Sequence, residues 1–189
     1  MIIGIMGAAG AGKSTLANIL VQEYGFQRES MASPLKAMLE AIGVPDSGLY
    51  GSPADKEAPQ DVLCGKSSRY AMQTLGTEWG RKLIGDDIWV NAMKIRINSV
   101  RPGNIVIDDI RFKNEVDMVR GLGGIIVTVY RSAVDIKLVG HSSEELWGDV
   151  IPDYKVINNN GLDGLRNYSI ELAEYVNHLI ACRNYTRSY

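Results

Sequence analysis

The chain begins Met1-Ile-Ile-Gly-Ile-Met-Gly-Ala-Ala-Gly-Ala-Gly-Lys-Ser-Thr15, and these residues carry the clearest structural signal in the sequence. The apolar run at the start is typical of a buried strand, and it leads directly into residues 7–14, which match the phosphate-loop pattern G-x-x-x-x-G-K-[ST]. Residues 16–24 then have the character of a helix that ends at Gly25. This order predicts a strand, a phosphate-binding loop and a helix at the N-terminus.

The loop pattern also predicts what its residues do. Glycines let successive backbone N–H groups turn toward one anion, and the new helix presents its positive end to that anion. Lys13 is expected to reach the β- and γ-phosphates of a nucleotide, and the Ser14 hydroxyl is expected to hold Mg²⁺. The other expected nucleotide-binding residues of the loop are Gly7, Ala8, Ala9, Gly10, Ala11, Gly12 and Thr15.

Composition sets limits on the class of protein. The chain has 189 residues and is 46% hydrophobic, which predicts a single domain with a hydrophobic core. Its net charge of −2 predicts that no nucleic-acid polymer is a partner. Cys64 and Cys182 show neither metal-site spacing nor a disulfide framework, as expected of reduced thiols. No apolar run approaches the ~20 residues of a membrane helix, and the opening strand leaves no room for a signal peptide. We therefore expect a cytoplasmic protein without a membrane partner.

Strand-like and helix-like segments alternate along the rest of the chain. β-Branched or apolar runs predict strands near residues 26–31, 105–107, 125–130 and 154–157, and helical stretches are predicted near 35–42, 68–83, 88–98, 113–121 and 162–181. This alternation predicts an α/β fold of three layers, with a five-stranded parallel sheet flanked by helices. Residues 43–67 and 131–152 break the pattern, and either a substrate flap and a lid or two merely exposed loops would fit them.

The predicted helix near residues 68–83 carries polar side chains at a regular interval. Arg69, Gln73, Thr77 and Arg81 follow each other four residues apart, so on an α-helix they drift by only ~40° per step. Guanidinium groups suit a phosphate monoester and an amide suits the edge of a base, although an ordinary solvated helix face would look the same. Gly76 and Gly80 would each destabilise a helix by ~1 kcal/mol relative to alanine. Either a close approach of backbone or ligand to these positions or a break in the helix would explain why glycine is present.

Several short blocks, taken in order, resemble one family. They are Met31-Ala-Ser-Pro-Leu-Lys36, Arg69 with Met72-Gln-Thr-Leu-Gly-Thr77 and Trp89, Val106-Ile-Asp-Asp-Ile-Arg111, His141-Ser-Ser-Glu144, and Asp153-Tyr-Lys-Val-Ile-Asn158 with Gly161. Their order and spacing resemble the phage-type deoxynucleoside monophosphate kinases, a branch of the P-loop nucleoside monophosphate kinases. The resemblance implies a single kinase domain over residues 1–189, with an acceptor-binding insertion at about 33–98 and a lid at about 131–152.

The resemblance also implies an activity. ATP with Mg²⁺ would donate a phosphoryl group to a deoxynucleoside monophosphate, with broad tolerance of the acceptor base. A phage-encoded enzyme would act in the host cytoplasm, and a homodimer is left open.

Residue roles follow from the same blocks. Asp109 would be the carboxylate on the Mg²⁺ side, with Asp108 as the alternative because side chains alternate along a strand. Arg111 would contact the transferring phosphoryl group or the acceptor phosphate, and Arg131 would stabilise transition-state charge as an arginine finger does. The resemblance further places Lys36, Arg69, Gln73, Thr77, Arg81 and Trp89 at the acceptor, Glu144 on the lid side of the acceptor, and Asn158 and Gly161 near the donor nucleotide.

Three other functions remain open at this point. An animal-type phosphomevalonate kinase shares the D-x-R strand end and the C-terminal block, and a dephospho-CoA kinase is a second small-molecule alternative. A non-catalytic nucleotide sensor is an alternative of another class. An amide directed at a base has no obvious use against a small branched acid, and two arginine-bearing faces suit phosphate contacts, so the nucleotide kinase is favoured.

Overall fold

The computed structural model describes residues 1–99, 103–131 and 150–186. Contacts between residues divide the chain into two compact units, one made of Met1–Ser30 with Arg101–Tyr189 and the other of Met31–Val100. Most of the predicted lid, including His141 and Glu144, lies outside the described residues. Within the described part, no helix has both the length and the apolar character needed to cross a bilayer.

The elements follow in chain order. The strands are β1 (Ile2–Met6), β2 (Gln27–Glu29), β3 (Pro59–Gln60), β4 (Lys66–Ser67), β5 (Ile105–Ile107), β6 (Ile125–Tyr130) and β7 (Tyr154–Ile157). The α-helices are α1 (Lys13–Tyr24), α2 (Ser33–Ala41), α3 (Asp46–Tyr50), α4 (Pro53–Glu57), α5 (Ser68–Gln73), α6 (Ile88–Ser99), α7 (Lys113–Gly121) and α8 (Gly161–Thr186). The described residues also form a 3₁₀ turn (Asp61–Leu63) and a π-helix (Thr74–Ile84).

The first unit is built on a sheet of five parallel strands in the order β2-β5-β1-β6-β7. Ile3 at the centre pairs with Val106 on one side and with Ile125 on the other. All residues of β1 and β5 are buried, because helices cover both faces of a parallel sheet. The predicted five-stranded parallel sheet is confirmed, and the strand expected near residues 26–31 is limited to Gln27–Glu29.

Side chains of β1 show how the three layers form. Ile3 and Ile5 belong to a core that also contains Leu16 of α1 and Leu172 of α8. Gly4 points to the opposite face, where a Cβ would lie 3.1 Å from Val119 of α7. Helices α1 and α8 therefore cover one face of the sheet and α7 covers the other.

The second unit contains more regular structure than its sequence predicts. Residues 43–67, which break the alternation of strands and helices predicted from the sequence, form α3, α4, a 3₁₀ turn and a small antiparallel pair of β3 with β4 rather than one continuous loop. Helix α4 is set by its N-terminus, where Ser52 at the N-cap and Asp55 at the third helical position form a capping box and Pro53 is the first helical residue. Helices of five residues are too short to show a hydrophobic period, and for that reason the pattern missed them.

The predicted helix over residues 68–83 is two helices of different winding. After α5 the chain continues as the π-helix, whose last turn has a hydrogen bond of 2.9 Å from Gly85 N–H to the Gly80 carbonyl, five residues back. The four-residue spacing assumed for an α-helix therefore applies to Arg69 and Gln73 but not beyond residue 73. Thr77 and Arg81 lie on the wider turns.

Candidate active site

The phosphate loop connects β1 to α1. Two of its glycines have positive φ angles and no space for a side chain. Gly7 has a φ of 143°, and a Cβ there would collide with the carbonyl oxygen of Val129 in the neighbouring strand. Gly12 has a φ of 110°, and a Cβ would lie 2.5 Å from Nδ2 of Asn158. These two positions require glycine because strand β6 and Asn158 pack directly on the loop.

A cavity of about 430 Å³ adjoins this loop. Among the residues that line it are Gly10, Lys13, Ser14, Arg131, Asn158 and Gly161. The structure therefore places the predicted phosphate loop, the predicted arginine finger and both predicted residues near the donor nucleotide around a single space in the first unit. This volume is within the range of small-molecule and cofactor sites.

Lys13, the first residue of α1, folds back onto the loop. Its Nζ donates hydrogen bonds of 2.7 Å to the carbonyl oxygens of Gly7 and of Ala8. Burial lowers the pKa of Lys13 below its ordinary value, and the positive charge of Arg111 lowers it further, whereas the carboxylates of Asp108 and Asp109 act in the opposite direction. The lysine thus lies within the electrostatic reach of the charged residues that follow β5.

The two carboxylates after β5 have different partners. Asp108 is 5% exposed, and its Oδ2 accepts a hydrogen bond of 2.8 Å from the Ser14 hydroxyl. Asp109 Oδ2 instead accepts a hydrogen bond of 2.6 Å from the Ser30 hydroxyl. The structure therefore places Asp108, the alternative left open by the sequence, beside the Ser14 hydroxyl, and places Asp109 beside Ser30. Adjacent residues of an extended segment point in opposite directions, and Asp108 is the one directed at Ser14.

Arg28 in β2 is a site residue that the sequence analysis missed. Its Nη2 lies 2.5 Å from Asp108 Oδ2 and its Nε lies 3.3 Å from Asp108 Oδ1, while Nη1 donates to Asn18 Oδ1 at 2.7 Å. A single arginine in a short strand has no motif that would mark it. It reaches Asp108 because β2 is the immediate parallel neighbour of β5.

The segment that carries Arg111 is held by a buried carboxylate. Glu115, which is 3% exposed, accepts hydrogen bonds from the backbone N–H groups of Arg111 at 2.7 Å and of Phe112 at 3.1 Å. This arrangement caps α7 and fixes the backbone from which the Arg111 side chain extends into solvent.

Arg131 and Asn158 both contact the phosphate loop. Arg131 Nη1 lies 3.3 Å from the Gly10 carbonyl oxygen, and Asn158 Nδ2 donates to the Ala11 carbonyl at 2.8 Å. Asn158 is 5% exposed, so its amide is part of the support of the loop. The sequence predicts Arg131 as an arginine finger and Asn158 as a residue near the donor nucleotide, and in the structure both side chains are hydrogen-bonded to the loop itself.

Apart from Glu144, which lies outside the described residues, the predicted acceptor residues lie in the second unit. Lys36 Nζ is 4.5 Å from the centre of the Tyr50 ring, Arg69 forms an ion pair with Glu57, and Arg81 donates a hydrogen bond of 3.0 Å to the Asp86 carbonyl. Gln73 and Thr77 are exposed on α5 and the π-helix.

Trp89 differs from the other predicted acceptor residues. It is only 5% exposed, and its indole N–H donates to the Gly76 carbonyl at 2.8 Å. This placement makes Trp89 a packing residue of the second unit rather than an exposed surface for a substrate.

The family profile described as "Deoxynucleotide monophosphate kinase" matches residues 61–168 of this chain. The chain belongs to this family. A putative deoxynucleotide monophosphate kinase of Acanthamoeba polyphaga mimivirus is 28% identical over 96% of this chain and 95% of the viral protein. A deoxynucleoside-5'-monophosphate kinase of Escherichia phage T5 is 27% identical over 58% of this chain and 45% of the phage protein.

Among solved structures, a dephospho-CoA kinase from Campylobacter jejuni is 12% identical and aligns with a TM-score of 0.47, covering 93% of this chain and 96% of that one.

The deoxynucleotide monophosphate kinase profile begins in the second unit at residue 61 and extends into the first unit as far as residue 168. It thus includes Arg69 and Gln73 as well as Asp108 and Arg111. The carboxylate beside Ser14 and the predicted acceptor residues Arg69 and Gln73 therefore both lie in the segment that carries the family similarity.

Proposed function

We propose that this protein transfers the γ-phosphoryl group of ATP to a deoxynucleoside monophosphate, giving ADP and a deoxynucleoside diphosphate. The observation that carries the proposal is the hydrogen bond of 2.8 Å from Ser14 to Asp108, made next to Lys13 on the cavity at the phosphate loop. A serine hydroxyl bonded to a buried carboxylate, beside a lysine and a glycine loop, is the arrangement with which P-loop enzymes hold a nucleoside triphosphate and its Mg²⁺.

The residues on the donor side fit a magnesium ion. Mg²⁺ prefers oxygen ligands and is commonly held by one or two carboxylates together with substrate phosphates, so a dense cluster of protein ligands is not needed. Ser14 would supply its hydroxyl oxygen, and Asp108 would orient that hydroxyl. When bound, the ion would neutralise charge on the β- and γ-phosphates. Lys13 would exchange its two loop carbonyls for phosphate oxygens.

The acceptor is proposed to bind through the second unit. Arg69 offers a guanidinium whose present partner, Glu57, is itself 59% exposed, and an exposed ion pair of this kind is weak. A phosphate monoester can therefore replace that carboxylate on Arg69. Lys36, Thr77 and Arg81 are the further proposed acceptor contacts, and the exposed amide of Gln73 is proposed to face the base.

No covalent enzyme intermediate is needed for the reaction. An oxygen of the acceptor phosphate attacks the γ-phosphorus in line, a new P–O bond forms, and the bond from the γ-phosphorus to the bridging oxygen of ADP breaks. A nucleoside monophosphate has a second pKa of about 6, so the attacking oxygen is largely deprotonated at neutral pH without a general base. Lys13, Arg111 and Arg131 are proposed to stabilise the charge that develops.

A coupled assay of ADP release tests this proposal. The enzyme is offered ATP and Mg²⁺ with dAMP, dCMP, dGMP or dTMP, and with mevalonate phosphate or dephospho-CoA as competing acceptors. We expect turnover with at least one deoxynucleoside monophosphate and none with the two other acceptors, and loss of turnover in folded Lys13→Ala. Turnover only with mevalonate phosphate or dephospho-CoA would refute the acceptor assignment, and nucleotide binding with no turnover on any acceptor would point to a sensor.

A further inference from the structure

Arg28 is an arginine that the chemistry proposed above does not use. It lies in β2, with its side chain 38% exposed, and its guanidinium contacts Asp108, which is 5% exposed. Nη2 contacts Oδ2 at 2.5 Å and Nε contacts Oδ1 at 3.3 Å, so the guanidinium engages both oxygens of one carboxylate. Paired contacts of this kind fix the plane of a carboxylate as well as balancing its charge.

The position of Arg28 is itself determined from two sides. In the parallel pairing of β2 with β5, Arg28 is opposite Val106, two residues before Asp108. Its third nitrogen, Nη1, donates to Asn18 Oδ1 in α1 at 2.7 Å. The guanidinium therefore links the helix that begins at the phosphate loop to the carboxylate that accepts from Ser14.

The geometry at Ser14 shows why this link matters. Asp108 Oδ2 accepts from both the Ser14 hydroxyl and Arg28. A hydroxyl that donates its only hydrogen to a carboxylate keeps its oxygen lone pairs for a cation. If the carboxylate turned, the hydroxyl would be free to rotate and would present its hydrogen in other directions. A fixed Asp108 is thus the condition for a fixed Ser14 oxygen.

We propose that Arg28 is a positioning residue for magnesium. By holding the plane of the Asp108 carboxylate, it keeps the Ser14 hydroxyl oriented for the Mg²⁺ of the bound nucleotide. The inference rests on the proposed function, because it assumes a nucleotide with Mg²⁺ at the phosphate loop. It concerns the Mg²⁺-dependent part of nucleotide affinity, which a merely structural ion pair between β2 and the segment after β5 would not affect selectively.

The test compares ADP affinity with excess Mg²⁺ and with EDTA by isothermal titration calorimetry, and records thermal unfolding without ligand. In the wild type, Mg²⁺ should tighten ADP binding. In Arg28→Met, we expect the Mg²⁺-dependent gain to fall by about 10-fold or more, the usual effect of losing a partner that orients a metal ligand. Affinity in EDTA should stay within about 2-fold, because Arg28 contacts Asp108 and Asn18 rather than the backbone of the loop.

Two further variants keep the test decisive if Arg28→Met folds poorly. Asn18→Ala removes the second anchor of the guanidinium and should reduce the Mg²⁺-dependent gain in the same direction by a smaller factor. Arg120→Met is the matched control: this arginine of the same unit pairs with Asp153 at 3.8 Å, away from Ser14, and its loss should leave the gain unchanged.

The possible outcomes separate this inference from the proposed function. A full Mg²⁺-dependent gain in folded Arg28→Met would overturn the positioning role and leave the kinase proposal intact. Equal losses with Mg²⁺ and with EDTA would also overturn it, because they would indicate a general structural effect. If Mg²⁺ gave no gain even in the wild type, the donor site of the proposed function would be refuted together with this inference.

Discussion

The indole N–H of Trp89 donates a hydrogen bond of 2.8 Å to the carbonyl of Gly76, and the same ring fills the space where Gly80 has no side chain. A Cβ on Gly80 would lie 2.7 Å from Cε2 and 2.8 Å from Nε1 of Trp89. Both glycines lie in the π-helix, and a side chain rather than a ligand makes the close approach. π-Helices are rare in proteins, and those that occur are often located at functional sites.

Gly80→Ala should destabilise the protein. The added methyl group would push against the buried Trp89 ring, and overpacking of this kind costs about 1–3 kcal/mol. Urea unfolding followed by tryptophan fluorescence measures the loss. Gly121→Ala is the control, because nothing lies within 4 Å of a Cβ at that helical position. It should be neutral or stabilising by up to about 1 kcal/mol. Equal stability of Gly80→Ala and wild type would contradict the packing described here.

As the pH is raised, nucleotide affinity should begin to fall at a lower pH than it would if Lys13 had the pKa of an ordinary lysine. Binding a polyphosphate needs Lys13 charged, and burial, followed by the charge of Arg111, lowers the pKa of its side chain in the free enzyme below 10.5. Above that lowered pKa, binding has to take up a proton, so the dissociation constant should rise about 10-fold per pH unit. ADP titrations with EDTA between about pH 7 and pH 10 measure this.

Lys13→Arg provides the control for this pH dependence, because a guanidinium stays charged over the whole range. Its affinity for ADP, whatever its absolute value, should stay flat where that of the wild type declines. A wild-type affinity that remains constant over this whole range, as expected of a lysine with the ordinary pKa of 10.5, would show that burial does not control the charge of Lys13.

Removing the partner of Arg69 should improve acceptor binding. Glu57 pairs with Arg69 and would compete with the phosphate of the acceptor, and exposed pairs of this kind contribute about 0–1 kcal/mol. Glu57→Gln should therefore lower the acceptor KM by up to about 5-fold, while Arg69→Ala should raise it, with the KM for ATP unchanged in both. Glu78→Gln, which breaks the exposed pair with Lys82, is the matched control and should change neither constant. An effect of Arg69→Ala on ATP alone would place this arginine on the donor side.

The two adjacent carboxylates should separate by their magnesium dependence. Asp108→Asn should weaken the orientation of Ser14 and raise the Mg²⁺ concentration needed for half-maximal activity by about 10-fold or more. Asp109→Asn, which affects a carboxylate bonded to Ser30, should change that concentration by less than about 3-fold. Titrations of activity against Mg²⁺ at saturating ATP decide between them, and the reverse order would support the assignment of Asp109 made from the sequence.

Local patterns predicted much of the first unit. The β-branched runs at residues 105–107 and 125–130 are strands with those bounds, because strands buried on both faces need apolar residues throughout. The positions of Gly7 and Gly12 were also predicted from a local pattern, because a tight turn around an anion requires backbone conformations that only glycine adopts freely. The short helices of residues 43–67 were not predicted, because five residues are too few to show a hydrophobic periodicity.

The pairing of side chains across the sheet was beyond any local pattern. Ser14 and Asp108 are 94 residues apart, and Arg28 and Asp108 are 80 apart, so their contacts exist only once β5 lies between β1 and β2. The phosphate loop is encoded in consecutive residues, and its chemistry can be derived from them alone. Which carboxylate meets Ser14, and which arginine holds that carboxylate, depends on strand order and on the direction of each side chain, and both arise only when the sheet has formed.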